Sequence, residues 1–228
     1  MHNKLHSLHK QPVDKQPISE AELRQLVLKS LAVRSVPDQD LIVEELAIER
    51  GAARVDIAVL GSVLQAFELK SDADSFARLH NQIHAYNRVF DRITIATGPA
   101  YAGAALEVMP TWWGVMRADR QDDGTLTLTA IREAADNPHQ DSLSLAMFFW
   151  REEAINVLRA DAAVTAPKRS TRSELHAALA GHLSLSQLRE RVLETLKSRG
   201  LPKADSRSAR DGGWSRPDAN CSDFRFLT

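Results

Sequence analysis

Arg54-Val55-Asp56-Ile57-Ala58-Val59-Leu60, followed by Phe67-Glu68-Leu69-Lys70-Ser71-Asp72, is the stretch that decides the fold. The two predicted strands, Arg54–Leu60 and Leu64–Leu69, are short and apolar, and Gly61-Ser62 between them suits a hairpin turn. Side chains alternate faces along a strand. Val55, Ile57 and Val59 are therefore expected on one face, with Arg54 and Asp56 on the other. In the second strand Phe67 and Leu69 point one way, and Glu68 and Lys70 the other. Paired as a hairpin, the strands bring Asp56, Glu68 and Lys70 together on one face of an apolar sheet.

Outward from this hairpin, helical and strand periods alternate. Ser19 and Glu22 fit a capping box ahead of a helix over Ala21–Leu31, where Leu23, Leu26, Val27 and Leu31 share a face. Leu41–Ile48 reads as a strand interrupted by Glu44 and Glu45, with a turn at Gly51. Asp72–Phe90 has helical spacing in Phe76, Leu79, Ile83, Tyr86 and Phe90. A strand over Ile93–Thr97, a helix over 100–108 and strands over Pro110–Met116 and Leu126–Ile131 follow. The rest is helical: Leu143–Leu158, Arg172–Leu183 and Ser186–Arg199. This order predicts an α/β fold, a central mixed β-sheet flanked by helices, with an α-helical C-terminal extension. The expected divisions are a loose tail over 1–17, a core over 18–132, a helical extension over 133–200 and a second tail over 201–228.

Composition narrows the class. The chain has 228 residues, 43% of them apolar and 26% charged, which are globular values. The single cysteine, Cys221, makes neither an internal disulfide nor a cysteine-based zinc site. The N-terminal residues lack the apolar run of a signal peptide, and no stretch approaches the ~20 apolar residues of a membrane helix. A cytoplasmic protein with no membrane contact is expected. The net charge of -1 hides a division: residues 167–228 hold 12 Lys and Arg against 7 Asp and Glu, so the rest of the chain is acidic.

Two carboxylates and an ammonium converging on an apolar sheet are costly unless something compensates them. A Mg²⁺ ion (or Mn²⁺) would do so, since it takes oxygen ligands and retains waters. Lys70 would then position or help deprotonate a water, or offset charge in the transition state. The competing reading is a solvated strand face bearing a Glu–Lys pair. Glu45 offers a third carboxylate, and Glu22 on the first helix is the alternative upstream acid. Gln82 and Tyr86 lie four apart on the following helix, with Arg78 four residues earlier, so one helix face could brace Lys70 or touch nucleic acid. Ser71, Asp72 and Asp74 are expected to cap the start of that helix.

Asp56-x11-Glu68-x-Lys70 followed by Gln82-x-x-x-Tyr86 resembles the PD-(D/E)xK nuclease superfamily. The likeness is closer still to a group of bacterial and phage proteins known by a locus-tag label. It continues through Pro110-Thr111-Trp112-Trp113-Gly114, Ile131-Arg132-Glu133-Ala134 and Asn137-Pro138 and covers roughly residues 18–200. The resemblance implies a restriction-endonuclease-like fold and Mg²⁺-dependent phosphodiester hydrolysis. Asp56 and Glu68 become the metal pair, Glu45 a further metal ligand, and Lys70 the catalytic lysine. Gln82 and Tyr86 support the site, and Arg54, Arg78 and Gln82 contact nucleic acid. It favours DNA over RNA and leaves a homodimer open. The alternative is an inactive nuclease-like module of a phage or defence system that binds DNA or a partner.

Other features carry less. His80 and His84 share a helical spacing but lack a third ligand. Trp112, Trp113, Phe148, Phe149 and Trp150 read as core or as base-stacking residues. Arg189, Arg191, Lys197 and Arg199 lie on two helices that read as a packing appendage or as a grip on a nucleic-acid backbone.

Overall fold

The computed structural model describes residues 16–37, 39–72, 79–167 and 169–200. The expectations placed on Asp74, Phe76, Arg78, Cys221, the side chain of His80 and most of both tails lie outside the described residues.

Ser19 and Glu22 form the expected capping box, and the helix behind it, α1 (Glu20–Arg34), buries Leu23, Val27, Leu28 and Leu31. β1 (Leu41–Ile48), β2 (Ala53–Leu60) and β3 (Leu64–Lys70) form an antiparallel meander. α2 (Leu79–Asn87, as described) leads into β4 (Arg92–Thr97), which pairs parallel to β3. α3 (Pro99–Val108) crosses over to β5 (Gly114–Arg120), parallel to β4, and β6 (Leu126–Arg132) returns antiparallel. The six strands lie in chain order across one mixed sheet. The fold is thus the α/β arrangement anticipated, with helices on both faces and a helical C-terminal part.

One face packs α1 against Ile57, Val59, Phe67, Leu69 and Ala96. The other packs Ala58, Leu64, Ala66, Ile93 and Ile95 against Tyr86, Phe90, Trp113 and the C-terminal helices. Those helices are α4 (Ser142–Ala146), α5 (Arg151–Asp161), α6 (Arg172–His182) and α7 (Leu185–Ser198). Among the described residues no helix is long and apolar enough to cross a membrane.

Three local expectations are corrected. Leu143–Leu158 is not one helix, because Glu153 turns back to accept the Trp150 N–H at 2.6 Å and starts a new helix there. Pro110–Trp113 is a turn closed by Trp113 N–H to Pro110 carbonyl at 3.0 Å, and the strand begins only at Gly114. Val55 does not share a face with Ile57 and Val59: it packs with Ala58 and Leu60 instead.

Arg189 and Lys197 of α7 tie the helical part to the strand side, while Arg191 and Arg199 bind within the helical part. Arg189 Nη1 lies 2.9 Å from Asp91 Oδ1, and Asp91 Oδ2 accepts the Leu64 N–H at 2.7 Å. Arg191 grips Asp161 through Nε and Nη2 at 2.6 and 2.7 Å. Lys197 Nζ donates to the carbonyls of Gln39 and Gly61 at 2.7 and 3.0 Å. Arg199 donates to the Phe148 carbonyl, pairs with Glu153 and lies 4.2 Å over the Trp150 ring. These cations therefore serve packing within the chain. Trp113, Phe148 and Phe149 are buried in the core, while Trp150 is exposed beneath Arg199.

Asp91 is 5% exposed and holds both the start of β3 and a guanidinium from α7. Asp91→Ala is expected to lower the unfolding free energy by about 3 kcal/mol, since it leaves a buried N–H and a cation uncompensated. Denaturant titration of the two proteins checks this, with Arg189→Ala expected to cost less because its side chain is partly solvated.

Candidate active site

The site forms where the meander is distorted. β1 and β2 stay in one register, with Glu44 opposite Ile57 and Leu46 opposite Val55, so Glu45 and Asp56 face each other between those pairs. Glu45 has φ 56°, a left-handed backbone that side chains other than glycine adopt at a cost of about 1–3 kcal/mol. Both strands change face there. Leu41 and Val43 give way to Leu46 and Ile48 in the same core cluster, and Val55 gives way to Ala58 and Leu60. The sequence signal was present in the glutamates that interrupt the β1 run, but a simple alternation rule does not read it.

Asp56 stands next to the last residue pair of the β2–β3 ladder, Ile57 with Phe67. Its Oδ2 accepts the Leu69 N–H at 2.8 Å, so a side chain takes over where the strand carbonyl stops. Glu68, two residues closer to the hairpin than Lys70, is 1% exposed. Its Oε2 lies 2.8 Å from the Tyr86 hydroxyl, and that hydroxyl shares its one proton with the Arg54 carbonyl at 2.7 Å. Lys70 Nζ is 2.7 Å from Glu68 Oε1, an ion pair at hydrogen-bond distance. Tyr86 is held rigid by stacking on Trp113 at 6.2 Å and by the edge of Phe90 at 5.9 Å. Asp56, Glu68, Lys70 and Tyr86 are thus brought together.

Electrostatics follow from the burial. Asp56 is pushed up to about 7, first by desolvation and then by the neighbouring Glu68 charge; the Leu69 N–H, Arg24 and Lys70 oppose this. Burial and the Glu68 carboxylate also raise the Tyr86 phenol, so it stays a donor.

The other expected residues take different places. Glu45 and Arg54 line an open cleft of about 660 Å³ together with Asp56 and Gln82. Glu45 pairs with Arg54 at 3.0 Å and with Arg24 at 3.0 Å. Glu22 is turned away: it closes the α1 cap and meets Arg120 at 2.8 Å, which together hold its carboxyl down at about 2. Gln82 lies against the Tyr86 hydroxyl, and its Oε1 is buried without a hydrogen bond. His84 is exposed on α2. Asp72 is expected to cap a helix start that lies outside the described residues. Its carboxylate accepts the Ile18 N–H at 3.0 Å and the Ala100 N–H at 3.2 Å, tying the approach to α1 to the start of α3. Gly98 is required beside it, because a Cβ there would meet Asp72 Oδ1 at 2.2 Å.

Arg24 is the residue that sequence reading missed. From α1 it donates to Glu44 at 3.2 Å, Glu45 at 3.0 Å, Glu20 at 2.9 Å and the Asp56 carbonyl at 3.2 Å, and it lies 3.6 Å from Asp56 Oδ1. Its spacing from the glutamates of β1 gives no local signal; only the tertiary fold brings them together. Among the described residues, no three carboxylate, imidazole or thiol groups are already gathered as a metal-binding set.

With this geometry in view, a profile of the family described as bacteriophage P4 protein cII matches residues 14–210. The chain belongs to that family. Protein cII of Enterobacteria phage P4 is 26% identical over 158 residues, which are 69% of this chain and 59% of the phage protein. The chain thus matches less than two thirds of that relative's length. Among solved structures, the SPO1766 protein of unknown function from Silicibacter pomeroyi is similar over 82% of this chain and 95% of its own, at 23% identity and a TM-score of 0.39. The phage P4 cII match spans α1 through α7 and therefore includes the whole Asp56–Glu68–Lys70 constellation.

The raised Asp56 fixes the sign of a pH effect. An unfolded aspartate titrates near 3.8 and the folded one near 7, so the native state holds the extra proton between those values. Stability of the metal-free protein should fall as pH rises from about 4 to about 7, by linkage to this group. Asp56→Asn, which mimics the protonated acid, should flatten that part of the profile. Urea unfolding measured at pH intervals from 4 to 8 checks both statements.

Proposed function

We propose that this member of the P4 cII family is a metal-dependent nuclease that hydrolyses phosphodiester bonds, with DNA ahead of RNA as substrate. One observation carries the reading: the half-buried Asp56 lies beside the buried Glu68, with Lys70 Nζ 2.7 Å from Glu68. The PD-(D/E)xK resemblance supports it, since it assigns these residues to one site.

The donor set fits a hard divalent cation such as Mg²⁺ or Mn²⁺. Asp56 and Glu68 offer carboxylate oxygens, and Asp56 is held partly protonated by desolvation and by the Glu68 charge, both of which a cation would offset. Glu45 at the cleft could add a third oxygen once released by Arg24 or Arg54. When bound, the ion would polarise the phosphate and acidify a water.

The chain's own residues supply the rest. Lys70, as an ammonium anchored on Glu68, orients a water and offsets charge on the phosphoryl oxygens. The water oxygen bonds to phosphorus as the bridging P–O bond breaks; the attacking water gives up a proton to bulk solvent, and the leaving oxygen takes one from it. Tyr86 fixes the Glu68 carboxylate, and Gln82 braces that hydroxyl from one turn earlier. Arg54, two-thirds exposed at the cleft, is placed to exchange Glu45 for a phosphate. Arg78 is assigned to the same contact on the resemblance alone. A homodimer is compatible with this reading.

A second reading has an observation of its own. Arg24 and Lys70 already supply positive charge to this acidic cluster, as an inactive scaffold would. On that reading the protein binds nucleic acid or a protein partner without cutting.

Incubation with plasmid, linear DNA and RNA, in Mg²⁺, Mn²⁺ or EDTA, separates the two. Metal-dependent cleavage is expected, reduced by at least about 10²-fold in Lys70→Ala and in Asp56→Ala. Binding without cleavage across DNA, RNA and branched substrates would replace the nuclease reading by the second. Metal affinity should rise as pH rises through about 7, because Asp56 must shed its proton to act as a ligand. Calorimetric titration with Mn²⁺ at pH 6 and pH 8 measures this.

A further inference from the structure

Among the described residues two buried side-chain atoms, Gln82 Oε1 and Thr97 Oγ1, have no hydrogen-bond partner, and a third, Glu68 Oε1, meets only the Lys70 ammonium. Native proteins leave few such atoms, and each asks for a reason. Here all three belong to one neighbourhood. Thr97 ends β4 directly opposite Lys70 in the parallel register. It alternates with Ile93 and Ile95, which pack in the cluster that contains Tyr86, so its side chain shares the Glu68–Lys70 face. Gln82 reaches the same place through Tyr86, whose hydroxyl contacts Glu68. Thr97 is fully buried, and no feature of the sequence pattern draws attention to it.

The donor and acceptor capacities match a single small ligand. Glu68 Oε1 and Gln82 Oε1 accept hydrogen bonds, the threonine hydroxyl donates, and the Lys70 ammonium has N–H donors beyond the one facing Glu68. One water within reach of all four would satisfy them, giving two hydrogens to the oxygens of Glu68 and Gln82 and taking one each from Thr97 and Lys70. Buried waters typically make about three such bonds to groups that otherwise lack partners. We propose that Thr97 is a positioning residue of this site, holding the Lys70 ammonium through a water shared with Glu68 and Gln82. This deepens the nuclease reading and rests on it for its effect on catalysis. The water cradle itself does not depend on what the protein cuts.

The test uses the full chain with Thr97→Val, which keeps the shape and removes the hydroxyl, and Thr97→Ser, which restores it. Thr97→Val is expected to fold, as read by its thermal midpoint, and to lose roughly 10–100-fold in kcat with KM changed by less than about threefold. Thr97→Ser should recover to within about fivefold of the parent protein. Unchanged cleavage by Thr97→Val, or a Thr97→Ser protein as slow as Thr97→Val, would overturn the proposal. If the parent protein cleaves no substrate, the nuclease reading fails and the cradle is judged by crystallography. A crystal structure that resolves ordered water should then show one within hydrogen-bonding reach of Thr97 Oγ1 and Lys70 Nζ, lost in Thr97→Val. No such water in the parent protein would sink the idea in that case, and needs no variant to fold.

Discussion

Two neighbouring carboxylates, one buried and one half-buried, set the terms for the rest of this molecule. Asp56 and Glu68 repel, and burial makes the repulsion worse because little solvent screens it. The surrounding structure answers with specific groups: a strand N–H on Asp56, a tyrosine hydroxyl and an ammonium on Glu68, and a guanidinium at the outer edge. Each answer needs support. Tyr86 keeps its position because Trp113 stacks on it, and Trp113 is fixed in turn by an Nε1–H bond to Asn87 at 2.8 Å. Arg24 needs α1 laid across the sheet at one height, which the Ser19–Glu22 cap and the Asp72 bond to Ile18 secure. A core of aliphatic residues alone would have been easier to fold. Charge is kept here at considerable structural expense.

The membership in the P4 cII family and the chemistry of the site bear on different questions. The family match places the chain among phage-related proteins and says nothing about reaction type. The constellation of Asp56, Glu68 and Lys70 speaks to reaction type and says nothing about biological setting. Arg24 stands between the catalytic and non-catalytic readings, because one cation cannot both neutralise Glu45 and leave it free to bind a metal.

Much of this was legible in the sequence, for a physical reason. The hairpin, the α1 cap and the convergence of Glu68 with Lys70 depend on residues close in the chain, where period and spacing carry the information. What escaped were decisions made at long range. No local pattern marks Asp72 as the tie between the starts of α1 and α3; the fold brings Ile18 and Ala100 to it. The alternation in β2 failed at Asp56, where pairing with the distorted Glu45 turns the strand. Arg24 and Thr97 carry no motif; one is a helix surface residue and the other a strand terminus until the sheet assembles around them.

The order of the strands has a consequence for how the chain comes off the ribosome. Every strand pairs with its immediate predecessor, so the sheet can grow from one edge to the other as each segment emerges. The antiparallel pairings of β1 to β3 favour rapid assembly, whereas the parallel pairings on either side of β4 wait for their crossover segments. The ties from Arg189 and Lys197 behave oppositely, since they reach back to Asp91, Gln39 and Gly61 from near the end of the described chain. During synthesis the first hairpin therefore exists for more than a hundred residues before its final restraint arrives. That interval is when the nascent sheet is most exposed to aggregation and proteolysis, and when a chaperone would have the most to shield.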